Sequence, residues 1–390
     1  MTDVLSRRGL NRATLARQYL LERAPVPAID AIEHLAGMQA QAPLAPYVGL
    51  WTRLRDFAPE ELSALVEERG VVRLHLMRNT VHLVSARDCL DWRGLFSPLL
   101  DAHFRYRVTG VDIGVLVDHA RRLLDEKPRT RSELGRLLAA HWPEVEPSAL
   151  AYAATHHLTL CQVPPRGVWG RNGPAAWTPV EQWLGAPLRS APVDGLVLRY
   201  LGAFGPASVA DVQQWSGLTR LAEVVDRLPL RRFTGPGGQA LFDLPDAPRP
   251  AEDTPAPPRF LPEYDNLLLS HDDRTRFIAG KRAVPLPPGV GATTGTFLVD
   301  GAWSGTWRFR AGTLHLEPFA ELRPADLDTL LDEADRLCAL LDPAPRHDEH
   351  EGGGTAQEPG RAQAGQVEAV HDRRAGRGRV RVEVAGTDLL

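Results

Sequence analysis

Cysteine is scarce in this chain: Cys89, Cys161 and Cys338 lie far apart and include no C-x-x-C pair. That spacing offers neither a zinc site nor a disulfide framework, and it fits thiols in a reducing compartment. Lysine is scarcer still, with only Lys127 and Lys281, so nearly all of the 45 basic side chains are arginine. An uninterrupted apolar run of the ~18 residues that span a bilayer is missing, so no membrane contact is expected. The start, Met1 to Arg8, leads into a polar, Arg-rich segment without the apolar core of a secretory signal, which predicts a cytoplasmic, nucleoid-associated protein. No Walker loop or dinucleotide fingerprint occurs; Gly352-Gly353-Gly354 follows no strand-like run. His156-His157 has no neighbouring ligand set. No metal and no cofactor is therefore expected.

What is present is ordinary for a soluble protein: 43% apolar and 24% charged residues in 390, enough for two or three domains. The net charge of -4 sits poorly with a surface that is basic throughout, so any nucleic-acid contact must be local. Arginine suits bidentate contacts to phosphate and guanine. The codon bias of a GC-rich genome produces the same excess, so arginine content alone decides nothing.

A pattern repeats along the chain. Pro27-Ala28-Ile29-Asp30, Thr130-Arg131-Ser132-Glu133 and Ala207-Ser208-Val209-Ala210-Asp211 each read as a helix start with an acidic residue near the first turn. Each follows an apolar helix, at 12–23, 112–126 and 193–204, and the last two precede further helical stretches at 148–159 and 218–228. Hairpins come next: Val71–Met77 with Thr80–Val84, Leu160 to Trp177, and Leu230–Thr234 with Ala240–Phe242. Three helices and a hairpin is the order of a winged helix. Residues 260–319 read as a small β-barrel or sheet and 324–341 as a closing helix. The stretch 245–258 reads as a linker. Residues 344–390, with no aromatic, read as a disordered tail. The expected divisions are 1–110, 111–190, 191–245, 246–343 and 344–390.

The segment Met38-Gln39-Ala40-Gln41-Ala42-Pro43 is the first chemical candidate. Two glutamines two apart diverge on a helix but share a face in an extended stretch. Pro43 biases Ala42 away from helix, so the helix 28–38 ends here and both amides can project into one space. A polar helix end facing water is the alternative.

Met38 to Pro43 followed by Tyr47-Val48-Gly49-Leu50-Trp51 resembles the signature of bacterial winged-helix DNA glycosylases of the AlkZ/YcaQ kind. So do Leu76-Met77-Arg78-Asn79-Thr80-Val81-His82-Leu83-Val84, Leu261-Pro262-Glu263-Tyr264-Asp265-Asn266 through His271 with Asp273-Arg274-Thr275, and Val299-Asp300-Gly301 with Gly305-Thr306-Trp307. The resemblance runs from about Leu10 to about Leu341. It implies an α+β fold of three tandem winged-helix domains plus a small C-terminal β-barrel, enclosing a C-shaped DNA-binding channel. It makes Gln39 and Gln41 catalytic, as in the branch tied to azinomycin resistance. The pattern departs at Ala42, where many relatives carry Asp, and at Asn79, where Gly is common.

The chemistry agrees. A base alkylated at N7 leaves as an already cationic group, so little acid help is required. What remains is to stabilise an oxocarbenium-like sugar and place a water. A Gln carbonyl is a neutral acceptor able to do both. A lyase-type reaction needs an amine, and neither lysine falls in these motifs, so a monofunctional hydrolase is expected. Its partner would be double-stranded DNA carrying alkylated bases, bound by a monomer, in repair or antibiotic self-resistance. Interstrand crosslinks are among the expected lesions.

Other residues carry paired readings. Arg73, Arg78 and His82 contact DNA, or decorate a hairpin. Trp169 and Arg171 probe a groove, or are exposed hairpin residues. Tyr47 and Trp51 stack near the lesion, or belong to the core. Asp265 and His271 line a lesion pocket and Arg274 contacts DNA, or the three form a structural polar cluster. A non-enzymatic winged-helix regulator is the competing function. It would be a symmetric dimer with a sequence-specific footprint.

Overall fold

The computed structural model describes residues 3–104, 108–280, 294–342, 367–375 and 378–385. They form two compact units. One comprises the chain up to Pro255 and from Pro262 to Ala292; the other comprises Ala256–Leu261 and the chain from Thr293 on.

In the first unit, α1 (Arg7–Arg17) precedes α2 (Ala28–His34), β1 (Met38–Gln39), α3 (Ala45–Trp51), α4 (Pro59–Glu67), β2 (Val71–His75) and β3 (Val81–Ser85). After α5 (Ala86–Phe104) the same order returns as α6 (Ile113–Glu126), β4 (Arg129–Thr130), α7 (Arg131–Ala139), α8 (Pro147–His157), β5 (Leu160–Val163) and β6 (Ala176–Pro179). A short α9 (Val180–Leu184) leads to α10 (Val193–Phe204), α11 (Val209–Ser216), α12 (Ala222–Arg227), β7 (Arg231–Thr234) and β8 (Ala240–Asp243). In this third run the first strand shrinks to one bridge, Ala207 to Phe242.

Capping explains two of the helix starts read from the sequence. Thr130 with Glu133 and Ser208 with Asp211 each close a capping box, so two backbone N–H groups at α7 and α11 find side-chain oxygens. Pro27 has no such side chain, and Glu61 of α4 accepts from Ala28 N instead, at 2.7 Å. Here the sequence alignment of the repeats shifts. By element order, α2 matches α6 and α10, and α3 matches α7 and α11. The helix expected over 12–23 ends at Arg17, where Tyr19 takes a φ of +56°. The helix expected to reach 38 ends at His34, because Ala36 and Gly37 both turn left-handed.

The first two runs share one sheet, in the order β1-β3-β2-β5-β6-β4. Their hairpins meet where β2 runs antiparallel to β5, with Arg73 opposite Gln162 and Leu74 opposite Cys161. The short strands β1 and β4 therefore lie at opposite edges. Beneath, Tyr200 and Phe204 of α10 stack at 5.3 Å and Tyr200 meets Trp215 of α11 at 5.1 Å. All three are buried, each worth about 1.5–3 kcal/mol or more in apolar transfer. Arg17 clamps Asp243 at 2.6 and 2.8 Å, fixing α1 to β8. The stretch 245–258 has neither helix nor strand, and α1 straps it down: Arg8 donates to Glu252 O and Arg12 to Thr254 O, each at 2.7 Å.

In the second unit, β9 (Arg259–Leu261), β10 (Gly295–Val299), β11 (Ala302–Arg310) and β12 (Thr313–Pro318) are followed by α13 (Pro324–Leu341), β13 (Val367–Ala375) and β14 (Gly378–Ala385). The strand order is β13-β14-β12-β11-β10-β9. Among the described residues, β13 and β9 are separate edges, so this is an open six-stranded sheet and not the expected barrel. The expected disordered tail is also corrected in part. β14 lies parallel to β12 with Thr313 opposite Arg379, and β13 folds back on β14. Composition averaged over the tail hid the alternation Val380, Val382, Val384 with Arg381 and Glu383, a strand pattern that needs only a sheet edge to pair with. The remaining tail residues lie outside those described.

Candidate functional site

Gln39 closes β1, opposite His82 of β3. The chain reaches it through the left-handed pair Ala36 and Gly37. A Cβ at Gly37 would stand 2.6 Å from the Val84 side chain, so glycine is required there. Gln39 is 7% exposed. Its Oε1 accepts from Arg78 Nη2 at 2.8 Å, and the same nitrogen donates to Asn266 Oδ1 at 2.8 Å. Arg78 Nη1 donates to the Trp215 carbonyl. One guanidinium thus meets three neutral oxygens and no carboxylate. Arg78 and Asn79 are both left-handed, with φ of +53° and +57°. Asn is among the few non-glycine residues that tolerate that conformation, which suits Asn79 to its place. For Arg78 it is strain, held by the three hydrogen bonds.

Burial, reinforced by the charge of Arg274, pushes the Arg78 guanidinium down to about 10. Burial first, then the Arg78 charge, hold His82 near 3. His82 Nδ1 lies 3.0 Å from Thr80 O and Nε2 lies 3.5 Å from Arg78 Nη2. A carbonyl only accepts, so the proton sits on Nδ1 and Nε2 faces the guanidinium as a neutral acceptor.

Beside Gln39 is a cavity of about 20 Å³ lined by Gln18, Arg53, Phe204, Asp265 and Asn266 among others. It holds about one water. Arg53 grips Asp265 with two hydrogen bonds, at 2.8 and 2.9 Å, and donates to Gln18 Oε1 at 3.1 Å. The cavity's only ion pair is therefore closed on itself.

Gln41 goes elsewhere. Ala40 N donates to Val81 O at 2.8 Å, but the return bond from Val81 N runs to Gln41 Oε1, at 3.1 Å. Arg73 has taken the Ala40 carbonyl, at 2.7 Å. The Gln41 side chain thus replaces the backbone in the ladder and lines a second cleft with Arg73, His75 and Arg131. The expectation that both amides enter one space is corrected: they line separate clefts on either side of the β1 end.

The other predicted residues divide. Asp265 lines the Gln39 cavity, with its carboxylate engaged by Arg53. Arg274 donates to His271 O at 3.3 Å, and its charge reaches Arg78. Tyr47 is 1% exposed; its hydroxyl donates to Gly167 O at 2.8 Å and its ring meets Trp169 at 4.9 Å. This pair braces α3 against the β5–β6 loop, so Tyr47 is core and closed to a ligand. Trp51 lies under the Arg23 guanidinium, 4.9 Å from its ring centre. Arg171 pairs with Glu67 at 2.8 Å on the surface. His271 is buried beside Phe204 O, at 3.1 Å, and burial with the Arg276 charge holds it near 3. It too is core and lines neither cleft. Sequence reasoning missed Gln18, Arg53, Asn266, Arg131 and Arg166. Asn266 alone had a signal, its place beside Asp265 in a quoted motif.

Among the described residues, no cluster of His, Cys, Asp or Glu could hold a metal ion and no helix is long and apolar enough to cross a membrane. No curated protein matches the chain. Among solved structures, the Streptomyces sahachiroi DNA glycosylase AlkZ is similar in fold, with a TM-score of 0.69 at 20% identity, covering 86% of this chain and 96% of that one. The family model described as DNA glycosylase AlkZ-like matches residues 32–340, which include Gln39, Gln41, Arg78, Asn266 and strands β9 to β12 of the second unit. The chain belongs to the AlkZ-like DNA glycosylase family.

Proposed function

We propose that the protein is a monofunctional DNA glycosylase that releases N7-alkylated purines, bulky adducts included, from duplex DNA in repair or self-resistance. Its helix–helix–hairpin runs act as winged helices against the duplex. One observation carries the reading: Gln39 Oε1 is held by strand pairing in a buried cluster whose side-chain oxygens facing a cation are neutral. Such a preorganised dipole suits a sugar that becomes positive as its bond breaks. The C1′–N9 electron pair leaves with the cationic base, neutralising it. Water adds at C1′ and releases its proton to solvent, giving an abasic site. A carbonyl already accepting from a guanidinium is a feeble base, which confines the reaction to labile, cationic leaving groups.

Two further features agree. The one-water cavity is far below the roughly 300 Å³ at which ligand pockets begin, so a flipped purine has no room in the cavity beside Gln39. Lys127, the one lysine among the described residues, is exposed and lines neither cleft.

The test is duplex DNA carrying N7-methylguanine, followed by assay of free base and abasic sites. Wild type should release the base, and a Gln39→Ala/Gln41→Ala double mutant should be slower by about 10²-fold, as for loss of a preorganised dipole. No release by wild type defeats the activity; undiminished release by the double mutant defeats the glutamine roles.

A further inference from the structure

We infer that the second cleft, at the junction of β2 and β5, is a site for one phosphodiester of the DNA backbone, gripped by Arg73, Arg131 and Arg166. The inference rests on the DNA-acting reading above and adds the anchor that would hold the strand beside Gln41.

The cleft offers about 370 Å³ and its lining contains three arginines and no Asp or Glu. Three other buried arginines of the same unit are matched with acids, Arg17 with Asp243, Arg53 with Asp265 and Arg276 with Asp211, whereas Arg78 has its hydrogen bonds filled by neutral oxygens. Arg73, Arg131 and Arg166 have no ion pair among the described residues. Arg73 is 3% exposed, and its Nε and Nη1 find no hydrogen-bond partner. Trp177 Nε1, in the same lining, is also an orphan donor; Gln162 Oε1 is the one orphan acceptor. Buried donors without acceptors are costly, and a buried cation without an anion more so. A phosphate supplies what is absent: negative charge and several acceptor oxygens matched to guanidinium forks.

The site is built rather than incidental. Arg131 lies over the rings of Tyr152 and Trp177, 5.1 Å from each centre, and its Nη2 is 3.1 Å from His75 Nε2. Arg166 Nη1 is anchored on Gly173 O at 3.2 Å. Arg73 Nη2 holds the carbonyl of Ala40, between the two glutamines. A phosphate held here would set the register of the neighbouring sugar against the strand end that carries Gln39 and Gln41. It also reconciles a net charge of -4 with DNA binding, by leaving positive charge uncompensated in this cleft.

The test measures binding of the full chain to undamaged duplex DNA across a salt series. Loss of one phosphate contact lowers the slope of log Kd against log salt by about 0.9. Arg166→Gln and Arg131→Gln should each do so, the double variant should go no further because the phosphate is shared, and Arg166→Lys should restore part of the affinity. Arg122→Gln, an exposed arginine on α6 outside the cleft, is the charge control. Unchanged slopes, or an equal fall in the control, overturn the inference. So does a free-anion result, in which inorganic phosphate at constant ionic strength raises the melting temperature of wild type but not of Arg166→Gln while DNA slopes stay equal. If Arg131→Gln misfolds, Arg166→Gln and Arg166→Lys carry the test. Since no base release is required, a protein that passes here but frees no N7-methylguanine loses its glycosylase reading and keeps its phosphate site. The opposite pattern has the opposite meaning.

Discussion

Replacing Asp265 by Asn keeps the shape of the side chain and removes its charge. Arg53, 2% exposed, would then be a buried cation whose two hydrogen bonds at 2.8 and 2.9 Å end on a neutral amide. Breaking a buried pair from one side costs about 3–5 kcal/mol. Asn retains one accepting oxygen, so the lower end, about 3 kcal/mol, applies, against a total stability of roughly 5–15 kcal/mol. At about 2–4 °C per kcal/mol for a unit of this size, the melting temperature should fall by roughly 6–12 °C. Thermal unfolding followed by circular dichroism reads this directly. The paired change Arg53→Met with Asp265→Leu removes both charges together and should recover most of the loss, because no lone charge stays buried. Suppose instead that Asp265→Asn melts with wild type while base release collapses. Asp265 would then act on the substrate, and the bracing argument would be wrong.

Arg78→Lys replaces a fork that reaches Gln39, Asn266 and Trp215 with a single ammonium. Base release should slow by about tenfold in kcat with KM little changed, since the fork orients Gln39; an unaltered kcat would remove Arg78 from that role. His75 and His82 are held near 4 and near 3, chiefly by burial, so in the folded state both stay neutral well below their unfolded value of 6.5. The unfolded chain takes up those protons first, so the stability they contribute is complete above pH 6.5 and drains as pH falls toward 3–4. Asp88, raised by burial to about 6, opposes this between pH 4 and 6, whereas His271, held near 3, adds to it. Denaturant midpoints from pH 7 to 5 should therefore decline less in His82→Gln than in wild type, and parallel curves would contradict the assignment. Lys127→Ala should leave base release unchanged, and borohydride should trap no covalent DNA adduct with either protein; a trapped adduct means lyase chemistry.

Much of the fold was legible residue by residue. The boxes Thr130–Glu133 and Ser208–Asp211 mark helix starts because their chemistry is local. The alternation around Val71–His75 and Val81–Ser85 marks a hairpin for the same reason. The first repeat is misaligned from sequence because α3, the counterpart of α7 and α11, starts without a side-chain cap, and the acidic first turn of α2 stands in for it. Tyr47 and His271 were candidate ligand contacts because aromatic and imidazole groups serve cores and sites equally well, and burial is not written in a single sequence.

The sequence by itself determined the element types, the Gln39–Gln41 pair, the lack of amine nucleophiles beyond two lysines and the resemblance that the family match bears out. These follow from local spacing and side-chain chemistry. Only the tertiary structure decided that the two glutamines line different clefts, that one arginine from the β2–β3 turn holds Gln39 against Asn266, and that three other arginines share a cleft without an acid. Those facts depend on which of many arginines meet an acid on another element. Pairing across 188 residues, as between Arg78 and Asn266, is set by packing and leaves no local mark.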